Sequence, residues 1–211
     1  MMLSLLNEQP ILFLAWLLAI FYGITVHEFA HAWAASWQGD DTAKSLGRLT
    51  LNTLSHIDIF GLLMLVLAGF GWGKPVPVNK SNLKNGKVSD NLVSLAGIFT
   101  NLVSLVIFGI ILKLLILYSS FGPNNLLINF LFMLMMINLV LAIFNIIPIP
   151  PLDGSHVLFN TLPDKYNNFK ITLAQNGPFI LLGLIIADNF LNINIFSSFF
   201  SFFINLLYKF F

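Results

Sequence analysis

The stretch GITVHEFAHAWAASW, from Gly23 to Trp37, places two histidines and a glutamate inside a long apolar run. Between Ile11 and Trp37 the only acidic residue is Glu28, and there is no lysine or arginine. The run is long enough to cross a bilayer, which takes about 20 residues. Ionisable side chains at membrane depth are costly to insert and usually have a function. The stretch therefore predicts a membrane span that carries chemistry.

The composition of the whole chain agrees with a membrane environment. The chain has 211 residues, of which 57% are hydrophobic and 9% are charged, whereas soluble domains carry about 25% charged residues. The formal net charge is +1 and no basic patch is interleaved with aromatic residues, so nucleic acid is not expected as a partner. The absence of cysteine excludes disulfides. The first residues, MMLSLLNEQP, have no positive region, which predicts a retained span rather than a cleaved signal peptide.

The apolar runs predict an all-α polytopic membrane protein with about 4–6 transmembrane helices. Three runs are long enough to cross alone, namely Ile11–Trp37, Leu92–Tyr118 and Leu126–Ile147. One or two further spans are predicted within Phe179–Ile186 and Ile195–Leu207. We interpret residues 1–211 as one integral-membrane domain, with a catalytic core at about 11–160 and C-terminal helical segments at 176–211.

The run Ile57–Trp72 is different, because it has only 16 residues and is interrupted by glycines. Six of the ten basic residues flank it: Lys44, Arg48, Lys74, Lys80, Lys84 and Lys87. Cytoplasmic loops carry the excess of lysine and arginine, so both flanks are expected on the cytoplasmic side. We therefore predict a re-entrant or interfacial segment, and an active site toward the cytoplasmic side of a bacterial-type cell membrane.

The histidines and glutamate have the spacing of a metal site. His27 and His31 are related as i and i+4, so both imidazoles project from one face of a helix and can bind one metal ion. Glu28 lies about 100° around that helix from His27, where it can reach a metal-bound water without joining the ligands. Two ligands and one general base are the arrangement of H-E-x-x-H zinc hydrolases. The alternatives are a chance triplet or a buried polar network that joins helices.

A catalytic zinc site usually has three protein ligands and one open position, so a third ligand is expected. The candidates are Asp40, Asp41, His56, Asp58, Asp153, His156, Asp164 and Asp188. Asp153 is favoured by its context PIPPLDG, because prolines end a helix and irregular backbone at membrane depth must line a cavity. Gly154 permits a turn there. The alternative is that Asp153 caps the helix that follows it.

Five segments, in order, resemble the site-2 protease family of intramembrane zinc metalloproteases, in its minimal form without PDZ or CBS domains. They are HEFAH (27–31), GRLTLNTLSHID (47–58), GWGKPVPVN (71–79), SLAGIFTN (94–101) and NIIPIPPLDG (145–154). The departures from the family pattern are Thr53, Gly73, Ile98 and His156, all outside the HEFAH motif.

The resemblance implies a function and a site. His27, His31 and Asp153 would hold one Zn²⁺ per chain, and Glu28 would activate water. The expected substrates are transmembrane proteins, cleaved within or near their spans. GRLTLN and KPVPVN alternate apolar and polar residues, which predicts a short β-hairpin-like element near the site that could pair with an unwound substrate. The alternative for these two segments is an ordinary polar loop.

Two asparagines are candidate substrate-binding or oxyanion residues. Asn101 could contact the scissile backbone, or it could form an interhelical hydrogen bond, as asparagine often does in membranes. Asn145 precedes the prolines and could instead hold backbone groups that the helix break leaves open. Two other functional classes remain at this point: a catalytically inactive membrane binding protein, and a metal transporter that uses the same ligands.

Overall fold

The structure, a computed structural model, describes residues 6–122, 125–191, 194–207 and 209. Its helices are α1 (Pro10–Trp37), α2 (Thr42–Ser45), α3 (Ile59–Ala68), α4 (Lys87–Tyr118), α5 (Leu126–Asn145), α6 (Asp153–Thr161), α7 (Asn167–Leu191) and α8 (Ile195–Leu207). Short 3-10 turns lie at Thr53–Ser55, Lys80–Asn82 and Asp164–Tyr166. Proline at the first position of α1 is favourable, because that position needs no backbone N–H.

Within these described ranges, four segments are long and apolar enough to cross a membrane. They are Pro10–Trp37, Lys87–Tyr118, Leu126–Asn145 and Asp164–Asp188. Ser198–Leu207 is apolar but shorter. The expected all-α polytopic class is confirmed. The last crossing segment begins before residue 176, where the C-terminal helical part was expected, and α7 continues through Pro178.

The chain divides into two compact units, Met1–Ala142 and Ile143–Phe211. In the first unit, α1 contributes many small buried residues to the core: Ala15, Ala19, Ala30, Ala32, Ala34 and Ala35. Small residues allow membrane helices to approach closely. Val93 of α4 and Leu83 of the preceding loop pack against the alanines at the end of α1. The interpretation of residues 1–211 as one domain remains a prediction.

The two ends of the segment 57–73 lie side by side. Its helix α3 has 10 residues, so it is about 15 Å long, half the thickness of a bilayer core. An antiparallel bridge joins Ile57 to Gly73. The returning chain lies directly against α3, since a Cβ atom at Gly61 would come within 2.0 Å of the Trp72 carbonyl oxygen. The segment therefore does not cross, as its length and glycines predict.

The expected β-hairpin-like element is not formed. The bridge just described is the only β pairing in the described part of the chain, and residues 47–52 and 74–79 form no strand. The backbone groups that a strand ladder needs are bound by side chains instead. The Arg48 guanidinium binds two carbonyl groups, the Glu28 carboxylate binds the amide of Val76, and prolines 75 and 77 have no N–H.

A buried carboxylate fixes the loop after α1 to the loop before α4. Asp40 is fully buried. It accepts hydrogen bonds from the backbone N–H of Asn79 at 2.7 Å, from the Asn82 amide at 2.9 Å, and from the backbone and hydroxyl of Thr42. Burial by itself raises the pKa of Asp40, but these hydrogen bonds outweigh it and leave the pKa below its usual value.

This contact predicts a pH-dependent contribution to stability. A carboxylate with a lowered folded pKa stabilises the fold above its unfolded pKa of about 3.9, and the contribution is lost as the pH falls through the folded value. We expect Asp40→Asn to destabilise the detergent-solubilised protein by about 1–3 kcal/mol at pH 7. The difference in Tm between variant and wild type should shrink below about pH 4. A difference that stays constant from pH 7 to pH 3 would contradict this.

Candidate metal centre

The two histidines of α1 meet at their Nε2 atoms. Both side chains are buried, with 6% of His27 and 8% of His31 exposed. The two Nε2 atoms are 3.0 Å apart, and the rings are nearly perpendicular at 81°. The helical i, i+4 spacing places both rings on one face, and packing against α4 turns both Nε2 atoms toward a common point.

The outer nitrogen of each ring is held by α4. His31 Nδ1 lies 2.8 Å from the Val93 carbonyl oxygen, which can only accept, so Nδ1 must carry the proton. His27 Nδ1 lies 2.6 Å from Asn101 Oδ1. Hydrogen bonds of this kind fix the tautomer and orientation of histidines that bind a metal through Nε2.

The orientation of Asn101 follows from a chain of hydrogen bonds. Asn138 on α5 donates its amide to the Leu134 carbonyl at 2.7 Å, so its Oδ1 is left to accept from Asn101 Nδ2 at 2.8 Å. Asn101 Nδ2 also donates to the Gly23 carbonyl. The Oδ1 atom of Asn101 therefore faces His27 as an acceptor, and His27 Nδ1 is the donor.

The proton positions on the two rings show whether a metal ion fits between His27 and His31. With the protons on both Nδ1 atoms, the neutral rings present two Nε2 lone pairs to each other at 3.0 Å. A metal ion bound by both nitrogens makes that arrangement favourable. Two nitrogens bound tetrahedrally to one Zn²⁺ lie about 3.3 Å apart. The donor set and its spacing therefore fit zinc.

A glycine on α4 makes room for the rings. A Cβ atom at Gly97 would lie 2.5 Å from His31 Nε2 and 2.6–2.7 Å from two ring atoms of His27. Any side chain at this position would clash with both rings. Gly97 lies in the segment SLAGIFTN, one turn before Asn101.

Glu28 faces a different neighbour. It is half-buried, and its Oε2 accepts a hydrogen bond from the backbone N–H of Val76 at 2.9 Å. In the described part of the chain this is the only hydrogen bond that the carboxylate forms. One oxygen is thus fixed by the loop after α3, and Oε1 lies near Gly73.

Asp153 belongs to the second unit, where it is the first residue of α6. The N-cap position of this helix is occupied by Leu152. A Cβ atom at Gly154 would lie 2.2 Å from the Ile146 carbonyl oxygen. Gly154 therefore permits a close approach of the chain. Asn145 ends α5 and is half-buried. The roles of Asp153 and Asn145 remain predictions.

The other acidic candidates of the first unit have structural partners. Asp40 holds the two loops together, as described above. Asp58 accepts from the Gly61 N–H at 2.8 Å and so caps the start of α3. Asp41 is exposed and lies 3.8 Å from the Lys44 ammonium.

His56 is fully buried in a loop of the first unit, and its Nε2 donates to the Thr50 carbonyl at 2.8 Å. In the second unit, Asp188 accepts from the Phe196 N–H at 3.4 Å. His156 lies on α6 and is half-buried.

Three features of the centre were missed by sequence reasoning: the Val93 carbonyl, the Val76 amide and the space at Gly97. The first two are backbone groups, which carry no residue-type signal. Only the space at Gly97 has a signal in the sequence, namely a glycine one helical turn before an asparagine.

Comparisons with known proteins identify the family of the chain. The sequence model of the family described as Peptidase family M50 matches residues 115–186. A Bacillus subtilis (strain 168) protein named "Putative zinc metalloprotease YwhC" is 39% identical over 170 residues, which cover 78% of this chain and 76% of that protein. No solved structure gives a significant match. The chain belongs to peptidase family M50, the site-2 protease family of membrane-embedded metallopeptidases.

Proposed function

We propose that this protein is an intramembrane zinc metalloprotease that hydrolyses peptide bonds within or near transmembrane segments of membrane proteins. The observation that carries the proposal is the pair of Nε2 atoms 3.0 Å apart, with both Nδ1 atoms hydrogen-bonded to α4. Glu28 follows His27 directly and is half-buried on the same helix. A membrane span with these groups has the parts of a hydrolytic metal site.

His27, His31 and Asp153 would hold a single zinc ion. The support for Asp153 is its motif, NIIPIPPLDG, and its place at the start of a helix that follows a break. Three protein ligands leave the fourth position of a tetrahedral site open. Bound zinc would supply a Lewis acid that polarises the scissile carbonyl and acidifies water.

Glu28 would act as the general base. Its Oε2 is held by the Val76 amide, which leaves Oε1 to take the proton from the attacking water. The same carboxyl group would then pass that proton to the leaving amine. Half-burial keeps the carboxylate out of bulk water while leaving it accessible to a small molecule.

The substrate would be a transmembrane helix that unwinds locally, because a helix shields its own peptide groups. For Asn101 the contacts favour a role through His27, since its oxygen and its amide nitrogen are both hydrogen-bonded and the residue is fully buried. Asn145 would hold the backbone where α5 ends ahead of the prolines.

The alternatives predict other features. A metal transporter would carry further acids or histidines along its spans as a relay, and neither 92–118 nor 126–147 contains one. An inactive binding protein would not need an intact set of two histidines and one glutamate. The sequence retains all three.

The test combines metal analysis, peptide cleavage and comparative membrane proteomics. We expect about one zinc per purified chain, cleavage of transmembrane peptides in detergent, and uncleaved single-span proteins in cells that carry Glu28→Gln. Bound zinc without cleavage, and with an unchanged membrane proteome, would identify a binding protein. Zinc uptake into proteoliposomes that depends on His27 would identify a transporter.

The proposed topology is tested by labelling single cysteines, because the chain has none of its own. Asp41, Lys84 and Gly122 are all exposed. On intact cells an impermeant thiol reagent should label Gly122→Cys, while Asp41→Cys and Lys84→Cys should react only after permeabilisation, as the positive-inside rule predicts. Labelling at position 84 without labelling at position 41 would mean that residues 57–72 cross the membrane, and would contradict the proposed topology.

A further inference from the structure

We propose that Arg48 is a positioning residue for Glu28, and that it acts through the single peptide group between Pro75 and Val76. This inference deepens the proposed function and rests on it, since it assumes that Glu28 is the general base. It assigns a role to the only arginine of the chain.

Both ends of one peptide group are held by charged side chains. The carbonyl oxygen of Pro75 accepts from Arg48 Nη1 at 3.3 Å. The N–H of Val76, which belongs to the same planar peptide, donates to Glu28 Oε2 at 2.9 Å. A cation at the oxygen polarises the peptide and makes its N–H a stronger donor to a carboxylate. Rotation of this peptide would break both contacts.

The arginine also holds the peptide group before it. Arg48 Nη2 donates to the Lys74 carbonyl at 2.7 Å, so two successive carbonyl groups are bound by one planar fork. A guanidinium can span two acceptors in this way, whereas a lysine ammonium acts as a point charge. Arg48 therefore holds the backbone that carries the Val76 amide by its carbonyl groups.

His56 orients the guanidinium. Since its Nε2 donates to the Thr50 carbonyl, its Nδ1 is the acceptor, and this atom lies 3.5 Å from Arg48 Nη2. The main chain of His56 also accepts from the Lys74 N–H at 2.8 Å. One fully buried histidine thus contacts both the arginine and the segment that the arginine holds.

The burial of the Arg48 guanidinium is energetically unfavourable. Only 8% of Arg48 is exposed, no described carboxylate forms an ion pair with it, and within the described residues its Nε is buried without a hydrogen-bond partner. A buried cation without a carboxylate contributes little to stability. Its charge instead interacts with two carbonyl groups of the segment that binds Glu28.

The first test observes the contact in metal-free protein, and so does not depend on the proposed chemistry. In ¹⁵N-valine-labelled protein, Glu28→Gln should shift the Val76 amide proton upfield because a charged acceptor is lost, and this shift also assigns the resonance. We expect Arg48→Gln to shift the same resonance in the same direction. The control Lys44→Gln, which removes an exposed cation on α2, four residues before Arg48, should leave it unchanged. An unmoved Val76 resonance in Arg48→Gln would overturn the proposal.

The second test uses the active protein. Arg48→Gln should lower kcat by up to about 100-fold, the effect of a misplaced catalytic group, with KM and zinc content close to wild type. Arg48→Lys should recover only part of that loss. In a Glu28→Asp background, whose shorter side chain no longer reaches Val76, Arg48→Gln should cost much less, because coupled residues are not additive.

The outcomes separate the two proposals. Wild-type protein without zinc or cleavage would refute the proposed function and leave the resonance test standing. If the wild-type protein cleaves, two results would overturn the positioning role alone. One is that the effects of the Arg48 and Glu28 substitutions are additive, and the other is that Arg48→Gln loses zinc. Failure of both arginine variants to fold would show a structural role and would also overturn it.

Discussion

Replacing Glu28 by glutamine is expected to abolish peptide cleavage and to leave bound zinc unchanged. Glutamine has the same shape and keeps an oxygen that can accept from Val76, so the local structure should survive. It cannot take a proton from water, and loss of a general base costs about 10²–10⁴-fold in rate. Zinc content by mass spectrometry and cleavage of a transmembrane peptide in detergent measure the two effects. Full activity in purified Glu28→Gln would remove the assignment of the base.

Removing a metal ligand should differ from removing Glu28, because zinc and activity should be lost together. We expect His27→Ala and Asp153→Asn each to lower zinc affinity more than the removal of an outer hydrogen-bond partner does. The matched variant is Asn101→Leu, which removes the acceptor of His27 Nδ1 and should weaken zinc binding by about 10- to 100-fold. Competition with a chromophoric chelator gives the affinities.

The two ligand variants test different parts of the proposal. Full zinc affinity in His27→Ala would refute the metal centre on α1. Full affinity in Asp153→Asn, with loss in His27→Ala, would show that the third ligand is another residue. The remaining acidic candidates of the first unit already bind local groups, so the search would turn to His156 and to the acids of the second unit.

The sequence by itself determined the fold class, the first three spans and the chemical character of α1. These are local properties: an apolar run of sufficient length must pair its backbone groups internally and so becomes a helix in lipid. The i, i+4 spacing likewise places His27 and His31 on one face, whatever the rest of the chain does. The short, glycine-cut run at 57–72 also predicted correctly that this segment does not cross.

The tertiary structure alone decided how the site is supported. The acceptors of His27 and His31 are 74 and 62 residues away in sequence, and the amide that binds Glu28 is 48 residues away. Partners at such distances leave no periodic signal, and two of the three are backbone groups. The same cause explains the missing hairpin. Alternation predicted strands, but the side chains of Arg48 and Glu28 bind the backbone groups that a ladder would need, and those contacts exist only once the chain has folded.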